Sequence, residues 1–219
     1  MKTYSALAIV ALTAGLSSPS WGEVVDDFEA YASEQIVGAS AQSSPWFRVG
    51  VATIDNVTAT ANASLVIDGE RSGHYLVRWP ARFGSARYRF ESPRDLSGYA
   101  GFSLMLKSDV ADTQTSVRLL IGGRESIYLV KTAVPLSAEP ARFAADFAAE
   151  SYELVYGSAG FDEVLKHAEA LGFQITNATE EGGAEVTELV VMDDLTLDDG
   201  SAEADSAEAT EAEPAAEPQ

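Results

Sequence analysis

The chain has 219 residues, with 34 acidic and 14 basic side chains, a formal net charge of −20 and no cysteine. The lack of cysteine excludes a disulfide framework, thiolate metal sites, a thiol nucleophile and a lipid-modified cysteine. The negative charge argues against a nucleic-acid partner, because repulsion between like charges would oppose the encounter with phosphates.

The first 22 residues have the pattern of a secretory signal. Lys2 precedes an apolar run over residues 6–16, and small residues then lead to a cleavage site after Gly22. No later run reaches the roughly 18 consecutive apolar residues that a membrane-spanning helix needs. We therefore expect residues 1–22 to be a cleaved signal peptide, no membrane span, and a secreted or periplasmic protein.

The composition changes again at the far end of the chain. Residues 198–219 contain eight acidic side chains and no basic ones, among small residues and proline. Such a segment cannot bury enough apolar surface to offset the entropy lost on ordering, so we predict a disordered acidic tail. The remaining residues, 23–197, have the size of one domain, which we expect to be a monomer.

Alternating apolar residues predict several strands with one buried face each. The predicted inward sets are listed in chain order: Tyr75, Val77 and Trp79; Tyr88 and Phe90; Phe102, Leu104 and Leu106; Val117, Leu119 and Ile121; Ile127 and Leu129. The last two sets form a predicted hairpin around Gly122 and Gly123. Residues 172–176 and 187–197 supply the closing strands.

Helical periodicity is clear only once, where Phe161, Val164, Leu165 and Ala168 would share a face and Gly172 would end the helix. Many short strands with one helix predict an all-β fold, a two-sheet antiparallel sandwich, rather than βαβ repeats. The polar segment from Pro93 to Gly101 is interpreted as a corner of that sandwich, with turn-forming residues such as Asp95.

The order of these segments resembles the β-jelly-roll carbohydrate-binding modules appended to bacterial glucanases, and more distantly the domain of complex I intermediate-associated proteins. The resemblance rests on four stretches: VVDDFEAY near the start, RDLSGYAGFSLMLKSD at the corner, VRLLIGGRESIYLV at the hairpin, and ALGFQIT with VVMDDLTL at the end. It implies a galactose-binding-like jelly roll that holds a polysaccharide or oligosaccharide on one sheet face.

The resemblance places Arg118 and Tyr128 on adjacent arms of the hairpin, where such modules line their binding cleft. Strand parity turns five basic residues away from the core: Arg78, Arg87, Arg89, Lys107 and Arg118. If they converge, they form a guanidinium-rich groove for carboxylates or sulfates, which predicts an anionic polysaccharide ligand. The alternative is that these bases form ordinary surface ion pairs with the acidic flanks of the domain.

Two carboxylates near the ends of the domain are candidate metal ligands. Parity puts Asp193 on the side of Val191 and Leu195, and a buried carboxylate needs a cation or several donors. The resemblance implies a structural Ca²⁺ between the first and last strands, with oxygen ligands from Glu29 and Asp193. An arginine partner or a simple edge position for Asp193 is the alternative.

Trp46, in the segment SSPWFRVG, is a candidate for an exposed sugar-stacking ring or for a loop residue that covers the core. The two histidines, His74 and His167, give little basis for a zinc site. The sequence thus favours a non-catalytic carbohydrate-binding module. A cell-surface protein-interaction or assembly module of the same fold and a jelly-roll glycoside hydrolase or lyase are the alternatives.

Overall fold

The computed structural model describes residues 22–38, 45–50, 56–79, 83–111, 113–178 and 186–200. Almost all of the predicted signal peptide and of the predicted acidic tail therefore lies outside the described residues. No helix in the described part of the chain is long and apolar enough to cross a membrane.

The described residues form fourteen β-strands, one short α-helix and a 3₁₀ turn at Ala149–Ser151. The elements are β1 (Glu23–Asp26), β2 (Ile36–Gly38), β3 (Trp46–Gly50), β4 (Val57–Thr60), β5 (Ser72–Trp79), β6 (Gly84–Arg94), β7 (Gly101–Ser108), β8 (Thr115–Gly123), β9 (Ser126–Val130), β10 (Val134–Pro135), β11 (Ala141–Asp146), β12 (Tyr152–Tyr156), α1 (Phe161–Lys166), β13 (Ala168–Asn177) and β14 (Val186–Asp198).

The hydrogen-bonded strand order is β11-β7-β14-β5-β4-β2-β3-β6-β13-β8-β9-β12, with β1 on β14 and β10 on β8. This path folds back on itself as a two-layer sandwich. We call the layer of β11, β7, β14, β5, β4 and β1 sheet 1, and the layer of β3, β6, β13, β8, β9, β12 and β10 sheet 2. Strand β2 joins the two layers, and its single contact with β3 is the one parallel pair among the described strands.

The core lies between the two sheets, as the predicted alternation requires. Tyr75 of sheet 1 and Phe173 of sheet 2 have ring centroids 6.0 Å apart. Tyr75, Val77 and Trp79 are each 0% exposed, whereas the alternate residues of β5 are half-buried. The predicted two-sheet antiparallel jelly-roll fold is confirmed.

The corner after β6 forms as predicted. The Asp95 carboxylate accepts hydrogen bonds from the backbone N–H of Ser97 at 2.9 Å and from the Ser97 hydroxyl at 2.6 Å. This local turn reverses the chain before β7. Glycine is required at Gly101 because a Cβ there would lie only 2.3 Å from the backbone oxygen of Ala145.

The helix is shorter than predicted. Phe161, Val164 and Leu165 are buried on one face of α1, but the helix ends at Lys166 and Ala168 begins β13. Strand β13 is central, because it pairs with β6 on one side and β8 on the other. These two sets of ladder hydrogen bonds outweigh the helical periodicity of the segment.

The hairpin turn also lies two residues later than predicted. Gly122 and Gly123 belong to β8, and the turn residues are Arg124 and Glu125, with φ values of 51° and 57°. A two-residue turn of this left-handed kind matches the twist of a hairpin. The register that it sets places Leu129 opposite Leu120 and Tyr128 opposite Ile121.

Candidate functional site

The five basic residues predicted to converge are divided between the two outer faces of the sandwich. Lys107 lies opposite Val191 in the sheet 1 ladder, and Arg78 lies on the same outer face. Arg87, Arg89 and Arg118 lie on the outer face of sheet 2. The expectation of one five-residue groove is therefore wrong, because the sequence does not specify which strands share a sheet.

The outer face of sheet 1 is partly occupied by the loop between β4 and β5. The Lys107 ammonium donates a hydrogen bond to the backbone oxygen of Ser64 at 3.2 Å. The buried carboxylate of Asp193 accepts one from the backbone N–H of Asp68 at 3.3 Å. Both contacts hold the loop against this sheet, so Lys107 already serves the fold.

The outer face of sheet 2 carries a row of side chains that crosses six strands. Residues directly opposite one another define this row, which runs from β3 to β12: Phe47, Arg87, Gly172, Leu120, Leu129 and Glu153. At about 4.8 Å between strands, the row is about 24 Å long. Its centre is withdrawn from solvent, since Leu120 is 0% and Leu129 2% exposed although neither belongs to the core between the sheets.

At the β3 end of the row, two guanidinium groups lie against one phenyl ring, and we call Phe47, Arg87 and Arg89 the arginine–phenylalanine cluster. The guanidinium carbon of Arg89 is 4.5 Å from the centroid of the Phe47 ring, and that of Arg87 is 5.9 Å away. Both distances are typical of cation–π contacts. Arg87 also donates a 3.2 Å hydrogen bond to the Ser85 hydroxyl.

The two arginines of this cluster differ in their exposure to solvent. Arg89 is exposed, whereas Arg87 is 9% exposed and its burial lowers the pKa to about 10. Arg87 therefore stays charged at neutral pH. Among the described residues, neither guanidinium forms an ion pair with a carboxylate. The cluster thus presents two positive charges that the described part of the fold does not neutralise.

Arg118 has a different environment from the arginine–phenylalanine cluster. Its guanidinium forms an ion pair with Glu153 of β12, and its Nε donates a 2.6 Å hydrogen bond to the backbone oxygen of Val130. The alternative interpretation of an ordinary ion pair is therefore correct for Arg118. Its charge is compensated within sheet 2.

Tyr128 does not line the same face as Arg118, contrary to the prediction. It lies on the inner side of β9, where its ring packs edge-on against Phe161 with centroids 5.2 Å apart. Its hydroxyl donates a 2.8 Å hydrogen bond to the backbone oxygen of Ala159. The predicted parity of β9 was reversed because the turn register places Leu129, not Tyr128, on the outer face.

Trp46 is not an exposed stacking ring either. It is 1% exposed in β3, and its indole stacks on Phe28 with ring centroids 5.4 Å apart. Its Nε1–H donates a 2.9 Å hydrogen bond to the buried carboxylate of Asp26, which also accepts one from the Tyr31 hydroxyl at 2.7 Å. Burial raises the pKa of Asp26, whereas these donors act in the opposite direction.

The two predicted metal ligands both contact the loop between β4 and β5. Glu29 accepts hydrogen bonds from the backbone N–H groups of Glu70 and Arg71 at 2.6 and 2.9 Å. Asp193 accepts a 2.7 Å hydrogen bond from the Ser72 hydroxyl, and burial raises its pKa to about 7. No group of three or more His, Cys, Asp or Glu side chains in the described part of the chain is arranged to hold a metal ion.

The predicted orientation of Asp193 is wrong, although the residue is buried. Asp193 shares the outer face of sheet 1 with Val191, whereas Leu195 belongs to the core. The ladder is irregular between Asp193 and Thr196, and Asp194 has a φ of 51°. This bulge reverses the parity of the strand, which sequence alternation alone does not reveal.

A third buried carboxylate, Glu188, is not identified by the sequence analysis. It is 1% exposed and accepts four hydrogen bonds from neutral donors: the Trp79 indole at 2.8 Å, and the hydroxyls of Ser108, Thr113 and Thr115 at 2.6, 2.7 and 2.5 Å. A carboxylate so enclosed is not accessible to a substrate. Glu188 lies two residues before Val190 on β14, so strand alternation predicts that both side chains face the core.

The sequence analysis also does not identify Phe47, because it treats the segment SSPWFRVG as a loop. The structure places Phe47 in β3, opposite Arg87 of β6. The alternation of Trp46 inward and Phe47 outward was visible in the sequence, but the strand is only five residues long. A short strand of this kind gives a weak periodic signal.

Comparisons with known proteins support the fold. No protein-family model matches the chain, and no curated protein matches it in sequence. Among solved structures, it is similar to the family 11 carbohydrate-binding module of a cellulosomal cellulase of Clostridium thermocellum. That match has a TM-score of 0.50 and 11% identity, and it covers 83% of this chain and 95% of the module.

A structure of the family 11 module from Clostridium thermocellum in complex with a β-1,3-1,4-mixed-linked tetrasaccharide gives a TM-score of 0.52 at 12% identity, covering 80% of this chain and 93% of that one. An exo-β-agarase gives 0.51 at 12% identity over 80% of this chain, but the match spans only 25% of the agarase. At such low identities the likeness concerns architecture: the chain has the β-sandwich fold of these carbohydrate-binding modules.

Proposed function

We propose that this protein is a secreted, non-catalytic carbohydrate-binding module that prefers an anionic polysaccharide. The fold is that of modules in this class, and one of its structural neighbours was solved with a bound tetrasaccharide. The predicted signal peptide supports secretion. The proposed ligand site is the β3–β6 end of the outer face of sheet 2, where Arg89 is exposed, whereas the outer face of sheet 1 is partly occupied by a loop.

The observation that carries the anionic preference is the arginine–phenylalanine cluster. Arg87 and Arg89 hold two charges on this face without a carboxylate partner among the described residues. The Phe47 ring, which could have stacked on a sugar, is in contact with the Arg89 guanidinium instead. A guanidinium matches carboxylate and sulfate groups through paired hydrogen bonds.

Affinity electrophoresis against a panel of neutral, uronate-containing and sulfated polysaccharides tests this function. The mature protein should be retarded by at least one anionic polysaccharide, and the retardation should weaken as salt rises, because salt screens charges at an exposed site. Heat-unfolded protein of equal charge is the control for nonspecific retention. If no polysaccharide in the panel retards the folded protein, the proposal is wrong. Release of reducing sugar from the bound polymer would instead favour the hydrolase alternative.

A structural Ca²⁺ at Glu29 and Asp193 belongs to the same proposal. The burial of Asp193, which is 3% exposed and forms no ion pair among the described residues, supports a cation there. Both of its oxygens already accept hydrogen bonds, from the backbone N–H groups of Asp68 and Asp194 and from the Ser72 hydroxyl. One oxygen of Glu29 is already engaged by two backbone N–H groups. The ion would therefore need backbone oxygens or water to complete its coordination.

One observation favours the second candidate, a protein-interaction module. Strand β12 lies at the end of the strand order and exposes three apolar side chains: Leu154, Val155 and Tyr156 are 43%, 47% and 65% exposed. Exposed edge strands can pair with another chain. Light scattering coupled to size-exclusion chromatography addresses this surface: a monomer is expected, and a dimer lost on Val155→Lys substitution would support the second candidate.

A further inference from the structure

We propose that the acidic segment of residues 201–219 docks on the outer face of sheet 2, at the arginine–phenylalanine cluster, and competes there with an anionic ligand. The segment would act as an internal substitute for that ligand, which then has to displace it. The competition rests on the proposed carbohydrate-binding function, whereas the docking itself can be tested without any ligand.

The first step concerns charge. Arg87 and Arg89 have no ion-pair partner within the part of the chain that the structure describes. Glu91 follows Arg89 by two residues and is also exposed, so it can compensate only one of these two charges. The acidic segment has no basic residue, and its six acidic ones are Glu203, Asp205, Glu208, Glu211, Glu213 and Glu217. The segment and the cluster therefore carry complementary charges.

The second step concerns position. The last described residue is Gly200, two residues after the end of β14. On β14, Leu197 lies opposite Glu23, which forms an ion pair with Arg94, the last residue of β6. Arg89 lies five residues earlier on the same strand, so it is at most about 17 Å from Arg94. The acidic segment therefore begins near the end of β6 that carries the cluster.

The third step concerns reach. If the segment is disordered, as the sequence predicts, its r.m.s. span is about 5–6 Å times the square root of the number of residues. The acidic residues lie between Glu203 and Glu217, which corresponds to distances of about 10 to 23 Å from Gly200. These distances cover the path to Arg89, so the acids would be present there at a roughly millimolar effective concentration. Ion pairs between exposed groups are individually weak, so a ligand can displace the segment.

Two other exposed cations near this end of the sandwich have carboxylates beside them. Lys166 interacts with Asp95 and shares the short helix α1 with two further acidic residues. Arg124 precedes Glu125 in the β8–β9 turn, and its backbone N–H donates a hydrogen bond to the carboxylate of Glu169. These carboxylates would repel the acidic segment, so neither cation is a comparable docking point.

Lys131 is also exposed, beside the row of side chains on the outer face of sheet 2. It follows the end of β9 that is farther from Arg94, because the β8–β9 turn lies at the Arg94 end of the sheet. Its ammonium donates a 2.6 Å hydrogen bond to the backbone oxygen of Glu150. Arg89, with the charge of Arg87 beside it, is therefore better placed to hold the segment than Lys131.

The docking is tested by NMR on the mature protein with a spin label. The chain has no cysteine, so Ala212→Cys places a single nitroxide in the acidic segment. Compared with the reduced label, the nitroxide should broaden the amide signals of Phe47 and Arg89 more than that of Lys166. This excess should disappear in Arg89→Gln and at about 1 M salt, where the Debye length is about 3 Å. Equal broadening at Lys166, or an excess that persists in Arg89→Gln, would overturn the inference.

Two further variants serve as a matched pair for the spin-label experiment. The neutral-segment variant replaces the six acidic residues of the segment with glutamine or asparagine, and it should lose the excess broadening. Lys131→Gln removes one exposed cation from the same region of the surface and should leave the excess unchanged. Melting curves of each variant exclude unfolding as the cause of any change.

The competition is tested by calorimetry with an anionic polysaccharide that retards the protein in affinity electrophoresis. At low salt, the neutral-segment variant should bind it on the order of threefold more tightly than the parent does. Removing negative charges also weakens the general repulsion of a polyanion, and that effect does not depend on Arg89. The gain is therefore measured again in the Arg89→Gln background, where it should be smaller. An equal gain in both backgrounds would overturn the competition.

The outcomes separate the two proposals. If no polysaccharide binds, the proposed function is wrong and the competition fails with it, while the spin-label experiment still decides whether the segment docks. If a polysaccharide binds but the label gives no excess broadening at the cluster, only the further inference is wrong.

Discussion

Replacing Glu188 with glutamine probes the buried polar cluster that links β5, β7, β8 and β14. The substitution keeps the shape of the side chain and removes its charge. It also replaces one acceptor oxygen with an NH₂ donor, so two of the four groups that donate to Glu188 must turn away or, where they are hydroxyls, accept instead. Hydrogen bonds to an ionised group contribute about 2 kcal/mol each and neutral ones about 1 kcal/mol, so up to about 4 kcal/mol would be lost even if four neutral bonds remained. Removing a buried charge offsets part of that loss. We expect a net destabilisation of about 2 kcal/mol.

Urea unfolding at pH 7 measures this change through tryptophan fluorescence, because Trp46 and Trp79 are both buried. A loss of 2 kcal/mol should also lower the melting temperature by roughly 4–8 °C in a domain of this size. A double-mutant cycle with Trp79→Phe isolates the 2.8 Å bond from the indole to Glu188, with an expected coupling of about 1–2 kcal/mol. A glutamine variant as stable as the parent would refute the reasoning, since the donors would then not be compensating a charge.

Three further predictions concern the loop contacts, the start of β1 and the residues excluded from the site. Ca²⁺ should raise the melting temperature of the metal-free protein, EDTA should reverse this rise, and the Asp193→Asn variant should not show it. Identical melting curves with and without Ca²⁺ would contradict the predicted ion. Hydrogen bonds from Arg94 and Tyr99 lower the pKa of Glu23 to about 2. These bonds to the ionised carboxylate therefore stabilise the folded state above about pH 4.5, and that stabilisation is lost as the pH falls toward 2. Because Glu23 is partly exposed, this contribution should be less than about 1 kcal/mol, measured as the stability difference from Arg94→Gln at pH 7 and pH 2.5. Trp46→Phe should destabilise the fold by about 1–3 kcal/mol because Asp26 loses a donor, and Tyr128→Phe should destabilise it by less. Neither substitution should change glycan binding in affinity electrophoresis. Weaker glycan binding by a folded variant would contradict the assignment of both residues to the core.

The local alternation of the sequence predicted the fold well. Tyr75, Val77 and Trp79 face the core because strand parity is a property of consecutive residues. The same reasoning failed at Tyr128 and Asp193, where a turn register and a bulge changed the parity. These two features depend on pairing with other strands, so they cannot be derived from alternation alone.

The candidate site was less predictable than the fold. Arg87 and Arg89 were identified as outward residues, but their grouping with Phe47 requires β3 to lie beside β6. To predict that Lys107 and Arg78 lie on the other outer face, one must know the strand order of both sheets. Arg118 was expected to be part of the groove, and only its neighbour on β12, Glu153, determines that its charge is compensated.

The position of β14 has a consequence for how the chain folds. Strand β14 pairs with β1, β5 and β7, and Glu23 lies opposite Leu197. Sheet 1 therefore cannot be completed until the segment up to residue 198 is available to pair. Pairings so distant in sequence make folding slow. During that interval the other strands of sheet 1 expose apolar faces, which is the period in which a chaperone would have to protect the chain from aggregation.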